Sequence, residues 1–372
     1  MMSIRPTIAT VDLGAIRHNL AVARRLAPNQ AICAVVKADG YGHGINEVGM
    51  TLDRAGVEWL AVALVEEGIN LRRVGVKTDI LVLGSALGGT LYELVTHNLT
   101  PAIYRLDQIE ALGMAARGKQ LKFHLKIDTG MARLGVPLGE LNDLLEGLKR
   151  YPQLTLDGVM THFANADLAD REFNNAQLRL FNGALATVRE HGFKPTWVHI
   201  SNSAAVLSYP EAHIGLVRPG LVIYGLDPLE KRREIGLVPA MSWLTRPVHL
   251  KTIPAGTRVS YGGRWVAQRE TRLMTLPVGY ADGYPRALSG KAQVLICGQR
   301  AKVVGNICMD LCMVDVTDVP DATLDDEVVL MGRQKGEEIT AYELAAWADT
   351  IPYEIICGVG SRVPRYYIDH TT

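Results

Sequence analysis

Residues 34–44 read AVVKADGYGHG: a short apolar run stops at a lysine, Lys37, and the chain then turns through Gly40, Gly42 and Gly44. An ammonium at the end of a core strand is expensive unless it is paired or gives up its proton. One resolution is that the amine of Lys37 is bonded to another group. Similar runs follow it. AICAVVKA, EWLAVALV, DILVLGS, TPAIYR, LKFHLKID, LDGVMTHF, TWVHISNS and GLVIYG recur between Ala31 and Gly225, most of them separated by helical patterns such as LNDLLEGLKRY and AQLRLFNGALATVREHG. Eight buried-looking strands with intervening helices predict a parallel α/β fold, and eight is the number that closes a TIM-type β/α barrel. An open doubly wound sheet is the alternative. It would usually carry GxGxxG after its first strand, and that fingerprint is absent here.

The pattern changes near Leu226. LDPLEKRREIG is a charged connector, and beyond it come short strands rich in Val and Thr with Gly and Pro turns: RPVHLKTIPAGTRVSYGG, TRLMTLPVGYADGYP, KAQVLICGQRAKVVG and MVDVTDV. One helix, TAYELAAWAD, interrupts them. The expected organisation is a barrel over residues 1–235 and a mostly β domain over 236–372. Ahead of the barrel runs, TIATVDL reads as a strand, and Leu13 to about Pro28 as a helix with Asp12 at its N-cap.

Composition removes several classes of function. The chain has 372 residues with 39 Lys plus Arg against 39 Asp plus Glu, so no net field favours nucleic acid or an acidic membrane surface. MMSIRPTIATVDL lacks an apolar signal region, and no run is long enough to span a bilayer. The five cysteines are odd in number and unpatterned, which fits reduced thiols in a cytoplasmic protein. Cys308 and Cys312 flank Met309 and Asp310, but two thiols without a nearby His make a poor metal site, and none is expected.

In a closed barrel the chemistry lies at the C-terminal ends of the strands. Lys37 ends the first run. Arg133 lies past the fifth, in KIDTGMARLG; His162 ends the sixth; Ser203 follows the seventh, in HISNSAA. Arg218 and Gly220 sit in VRPG, just ahead of the last run. Phosphate sites in such barrels often form from the loops after strands seven and eight. A phosphate there and an amine at strand one suggest pyridoxal phosphate, held as a Schiff base on Lys37. Each residue also has a plainer reading. His162 could be a satisfied core histidine, Ser203 a helix cap, the arginines members of structural ion pairs, and Tyr261, Tyr280 and Tyr353 interface aromatics.

Taken together, VVKADGYGHG, KIDTGMARLG, THFANAD, NSAA, VRPGLVIYG, VSYGG, VGYADGYPR, GNICMD, IPYE and RVPR resemble, in this order and over essentially the whole chain, the alanine racemases, fold-type III pyridoxal-phosphate enzymes. The resemblance implies a β/α barrel, a β-rich C-terminal domain to which the first strand (about 1–12) returns, and a head-to-tail homodimer whose active site the other subunit completes. It implies interconversion of L- and D-alanine. Lys37 would carry the cofactor and act as one base; Tyr261, from the other subunit, would be the opposing one. Tyr41, Ser203, the Gly220 backbone and Tyr353 would hold the phosphate. His162 would lie against the pyridine ring, and Arg218 would donate to its nitrogen. Arg133 would hold the cofactor's phenolic oxygen and orient the substrate carboxylate, with Lys126 at a position often carbamylated in the family. Met309 and Asp310, with Tyr280, would complete the carboxylate pocket and its entrance from the partner subunit. Rival readings are a fold-type III decarboxylase, a racemase of serine or of a broader set, and a non-catalytic cofactor carrier. An acidic partner for the ring nitrogen, usual in the decarboxylases, is replaced here by Arg218. The carriers resemble the barrel alone. Whether D-alanine is made for cell-wall supply or broken down is left open.

Overall fold

A computed structural model describes residues 5–84, 90–229 and 232–370. Ser85 of the third apolar run and Glu230 and Lys231 of the connector lie outside them. The chain forms two compact units: residues 15–40 with 45–238, and residues 1–14 and 41–44 with 239–371.

β1 (Ile8–Asp12) belongs to the second unit. The first unit is built on β2 (Ala31–Val35), β3 (Trp59–Val62), β4 (Asp79–Val82), β5 (Thr100–Ile103), β6 (Leu121–Lys126), β7 (Leu154–Met160), β8 (Trp197–His199) and β9 (Leu216–Val217). These pair in parallel in the order β8-β7-β6-β5-β4-β3-β2-β9. The two ends of the sheet meet where Arg218 N donates to Ser201 O at 3.0 Å, so the eight strands make a nearly closed barrel. The strands are mostly buried: β3 is entirely buried, and β2 exposes only Ala31 in part. Runs buried on both faces show no alternation, as parallel strands covered by helices do not.

The eighth strand requires a correction. GLVIYG is not a strand: Leu221–Tyr224 form a 3₁₀ turn, all four buried, and the eighth strand is Leu216–Val217 ahead of it. Arg218 therefore follows the last strand instead of preceding it. Pro219 has no N–H to continue a ladder, and Gly225 closes the turn with φ 79.

In the second unit β10 (Met241–Thr245), β11 (His249–Ile253), β14 (Thr271–Leu276), β15 (Gln293–Ile296), β16 (Gln299–Val304), β17 (Cys312–Asp315), β18 (Val328–Gln334) and β20 (Arg365–Ile368) join β1 in one sheet ordered β11-β14-β17-β16-β15-β18-β10-β1-β20. β12 (Arg258–Val259) and β13 (Trp265–Val266) form a separate hairpin, and β19 (Glu337–Ile339) pairs with β18. β1 lies antiparallel to β10 and parallel to β20. The helix Ala341–Ala348 begins at a capping box in which Thr340 and Glu343 satisfy each other's backbone N–H groups. Arg365 organises the C-terminal turn: its guanidinium donates to the carbonyls of Gly42, Val359, Gly360 and Val363 at 2.5–3.0 Å.

Candidate active site

At the C-terminal end of β2 the chain makes an unusual turn. Ala38, Asp39 and Gly40 have φ 52, 54 and 61, and Tyr41 has φ 51. Left-handed backbone at non-glycine residues costs roughly 1–2 kcal/mol each, so something must hold it. Glu67 does part of this: its Oε1 accepts from Ala38 N at 2.7 Å, while Oε2 accepts from Ala63 N at 2.8 Å. Asp39 Oδ1 accepts from Ile45 N at 2.9 Å and caps the helix Ile45–Arg54. Lys37 lies two residues beyond the strand, half-buried, at the head of this turn.

The C-terminal ends of β7 and β8 converge on Arg218, which is 3% exposed. Its Nη2 donates to Thr161 O at 2.8 Å and Ile200 O at 3.1 Å, and lies 3.2 Å from His162 Nδ1. Its Nη1 lies 2.9 Å from His199 Nδ1. A guanidinium only donates, so both imidazole Nδ1 atoms accept, which places the proton of His199 on Nε2. That N–H donates onward to His124 Nδ1 at 2.9 Å. The proton of His124 is then on Nε2, which is buried and has no partner among the described residues. The two hydrogen bonds run one way, from Arg218 through His199 to His124. Burial first, and then the Arg218 charge, lower all three imidazoles: His124 to about 3, His162 and His199 well below the usual range. All are neutral at pH 7. Burial pulls Arg218 itself down to about 10, still cationic. Its Nε–H makes no hydrogen bond among the described residues.

Lys126 ends β6 and is 6% exposed. Burial, then Arg218, Arg133 and Lys37, hold its amine down to about 8. Arg133 is exposed in the following loop, whose tight turn Asp128 Oδ1 fixes by accepting from Gly130 N and Ala132 N. Ser203 is not a cap. Asn202 caps that helix by accepting from Ala205 N, while Ser203 Oγ accepts from Gly220 N at 2.8 Å and Val222 N at 3.4 Å. A hydroxyl and the Gly220 amide thus lie side by side. Gln177, 1% exposed, braces the loop after β7 through Ala164 N and His162 O.

The second unit carries the remaining predicted residues. Tyr41 and Tyr353 have ring centroids 6.1 Å apart, and burial raises the Tyr41 phenol well above its ordinary value. Tyr280 N and Ala281 N donate to the carbonyls of Cys308 and Met309 at 3.1 and 3.0 Å, which joins Tyr280 to Met309. Asp310 pairs with Arg362 at 2.7 Å. Tyr261 follows β12 and is 73% exposed.

His124, His199, Gln177 and Glu67 are the site residues that sequence reasoning missed. The two histidines stand inside the apolar runs LKFHLKID and TWVHISNS, and a polar ring within β6 and at the end of β8 is the available signal.

Among the described residues no cluster of His, Cys, Asp and Glu could hold a metal ion, and no helix is long and apolar enough to cross a membrane. A β/α barrel with a half-buried amine and several cations at its C-terminal end, joined to a mostly β unit, is the architecture of an enzyme for small anionic substrates. Family models for the N-terminal and C-terminal domains of alanine racemase match residues 11–228 and 240–367. The chain is 45% identical to the alanine racemase of Symbiobacterium thermophilum, over 98% of this chain and 97% of that one, and 43% identical to that of Geobacter sulfurreducens, over 99% and 98%. The crystal structure of alanine racemase from Streptomyces lavendulae superposes with a TM-score of 0.95 at 36% identity, covering 99% of this chain and 98% of that chain. That from Bacillus anthracis, with bound L-Ala-P, gives 0.92 at 34%, covering 100% and 97%. The chain belongs to the alanine racemase family, and it is an amino-acid racemase, an isomerase.

Proposed function

We propose that the chain interconverts L- and D-alanine with pyridoxal phosphate carried on Lys37, using Lys37 and the Tyr261 of a second copy as opposing bases. The observation that carries this reading is the state of Arg218: a cation held by four acceptors in the barrel, with neutral imidazoles around it and an N–H donor that has no partner among the described residues. The donor set fits the cofactor. An arginine stays protonated, so a pyridine nitrogen facing it accepts and does not carry a proton. The Ser203 hydroxyl, whose oxygen accepts from Gly220 N and whose O–H can donate, would hold a phosphate together with the Gly220 backbone, Tyr41 and Tyr353. Lys126, Arg133 and Arg218 supply positive charge for a polyanionic group.

When bound, pyridoxal phosphate withdraws electrons from Cα of the amino acid and so acidifies its C–H bond. Weak protonation at the ring nitrogen limits that withdrawal, which suits proton exchange at Cα over transamination, and the absence of an acidic partner at Arg218 argues against the decarboxylase reading. His162, held neutral by burial and by the Arg218 charge, would lie against the ring. Arg133 would orient the substrate carboxylate, and Met309, Asp310 and Tyr280 of a second copy would complete its pocket and entrance. Racemisation needs a base on each face of one carbon. The amine of Lys37 holds and returns the proton on one face, and the phenol of Tyr261 does so on the other. A phenol titrates near 10 when free, so cationic neighbours are needed for it to work at neutral pH. The depressed Lys126 amine suits carbamylation: its nitrogen bonds to carbon dioxide, a proton is released, and the resulting anion steadies Arg133.

The test is D-alanine formation from L-alanine by purified protein with pyridoxal phosphate, beside Lys37→Ala and Tyr261→Phe. Turnover should vanish in the first and fall strongly in the second. Wild-type protein that binds the cofactor and makes no D-alanine would overturn the reading.

A further inference from the structure

The residue before Tyr261 sits in a backbone conformation that glycine ordinarily owns. Ser260 has φ 64 and ψ −177, and a side chain there costs of order 1–3 kcal/mol. Two short hydrogen bonds hold it, and Ser260 Oγ also lies 3.5 Å from Cys308 Sγ. Ser260 Oγ donates to Asn306 O at 2.6 Å, and Asn306 Nδ2 donates to Tyr261 O at 2.6 Å. The orientation of the Asn306 amide follows, since a carbonyl only accepts and the Nδ2 must face it. The two bonds run in opposite senses between residues 260–261 and residue 306, so neither segment can slide without breaking one. Asn306 is 8% exposed and is fixed in place by its neighbour. Gly305 has φ 71, and a Cβ there would lie 2.9 Å from both Ser260 Cβ and Val259 O. The segments approach this closely because residue 305 has no side chain. Beyond Tyr261, Gly262 and Gly263 continue at φ 73 and 52, and Gly263 N donates back to Ser260 O at 3.1 Å. The backbone of Tyr261 is thus gripped on three sides while its side chain projects to solvent.

We propose that Ser260 and Asn306 form a reciprocal clamp that positions the Tyr261 phenol for proton transfer, making both of them positioning residues of the racemisation. This rests on the reading of Tyr261 as one of the two bases. Were the clamp merely structural, glycine at 260 would serve better, because it carries no strain in that conformation. A serine keeps the strain and gains the tether. Proton transfer is sensitive to placement at this scale: a displacement of about 1 Å can cost roughly 10²-fold in rate.

The experiment uses full-length holoenzyme in deuterated water, starting separately from L- and D-alanine. It measures inversion and deuterium entry at Cα of the recovered starting enantiomer. The variants are Asn306→Ala, Asn306→Asp, Ser260→Ala and Ser260→Gly, with Tyr261→Phe as reference. Loosening the clamp slows only the transfers made by Tyr261. From the enantiomer whose proton goes to Lys37, the hydrogen is then returned to the same face more often than it is delivered to the other. The ratio of exchange to inversion should rise roughly 10- to 100-fold for that enantiomer and fall by a similar factor for the other, whose return step is the one slowed. Ser260→Gly should show the same rise while unfolding at no lower a temperature than wild type, which separates positioning from stability. Equal loss of exchange from both enantiomers in the Asn306 variants would overturn the clamp. If Tyr261→Phe shifts the ratio and the clamp variants do not, this inference alone falls. If Tyr261→Phe leaves the ratio unchanged, the two-base reading falls with it.

Discussion

Replacing Arg218 with lysine keeps a positive charge and removes the fork, and the structure sets the size of the penalty. Four acceptors depend on the guanidinium: Thr161 O at 2.8 Å, Ile200 O at 3.1 Å, His199 Nδ1 at 2.9 Å and His162 Nδ1 at 3.2 Å. They lie on two different nitrogens of a planar group. An ammonium has three donors radiating from one point, so it cannot face both sets. At least two acceptors lose their partner inside the barrel. Each orphaned acceptor costs about 1–3 kcal/mol, giving about 2–6 kcal/mol against a total stability of about 5–15 kcal/mol. His199 also loses the donor that fixes its tautomer, so the directed chain to His124 is no longer enforced. The assay is urea unfolding of wild type and Arg218→Lys, with and without pyridoxal phosphate. The midpoint should fall by an amount equivalent to at least about 2 kcal/mol in both conditions. The cofactor-free comparison isolates the network, since a bound ligand adds its own linkage. A cofactor-free midpoint within about 0.5 kcal/mol of wild type would show that the acceptors are satisfied without the fork, and the account of Arg218 would be wrong.

Two further outcomes follow from local geometry. In Gly158→Ala the new Cβ would lie 2.6 Å from the His124 ring, which is boxed in by His199 and by Trp59 at 5.1 Å between centroids, so a loss of roughly 1–3 kcal/mol is expected in thermal melts; an unchanged Tm refutes it. For Lys126 the folded amine titrates near 8 against 10.5 in the free side chain. Above pH 8 the unfolded chain binds more protons than the folded one, so stability rises with pH between about 8 and 10.5, and the burial penalty is fully present below that window. Lys126→Met should therefore be more stable than wild type at pH 7, by up to about 3 kcal/mol, with the advantage vanishing by pH 10.5. A gain that persists at high pH would rule out titration as its cause, and carbamylation of wild type with bicarbonate should erase the gain at pH 7.

Lys37, Arg133 and His162 were picked out because parallel barrels put chemistry at strand C-termini, and that rule needs only strand order. The eighth strand was misplaced because an apolar run such as GLVIYG has no periodicity to separate a buried strand from a buried turn. Pro219 decided the matter, and with it Arg218 moved from before the last strand to after it. The position of the arginine in VRPG was readable; its surroundings were not. His199 lies 19 residues away from it and His124 a further 75, and no local pattern announces that two strands will bring them into line.

The sequence alone determined the barrel, the change to a mostly β second part and the family, because these depend on the order of apolar runs and on motifs that survive in one dimension. The tertiary structure alone decided the protonation states and the strain. Whether His124, His162 and His199 are neutral depends on their shared burial around one arginine, and whether Ser260 can hold a glycine-like backbone depends on Asn306 reaching it from a distant strand link. Such properties come from neighbours that are close in space and far apart in the chain, so they exist only once the chain has folded.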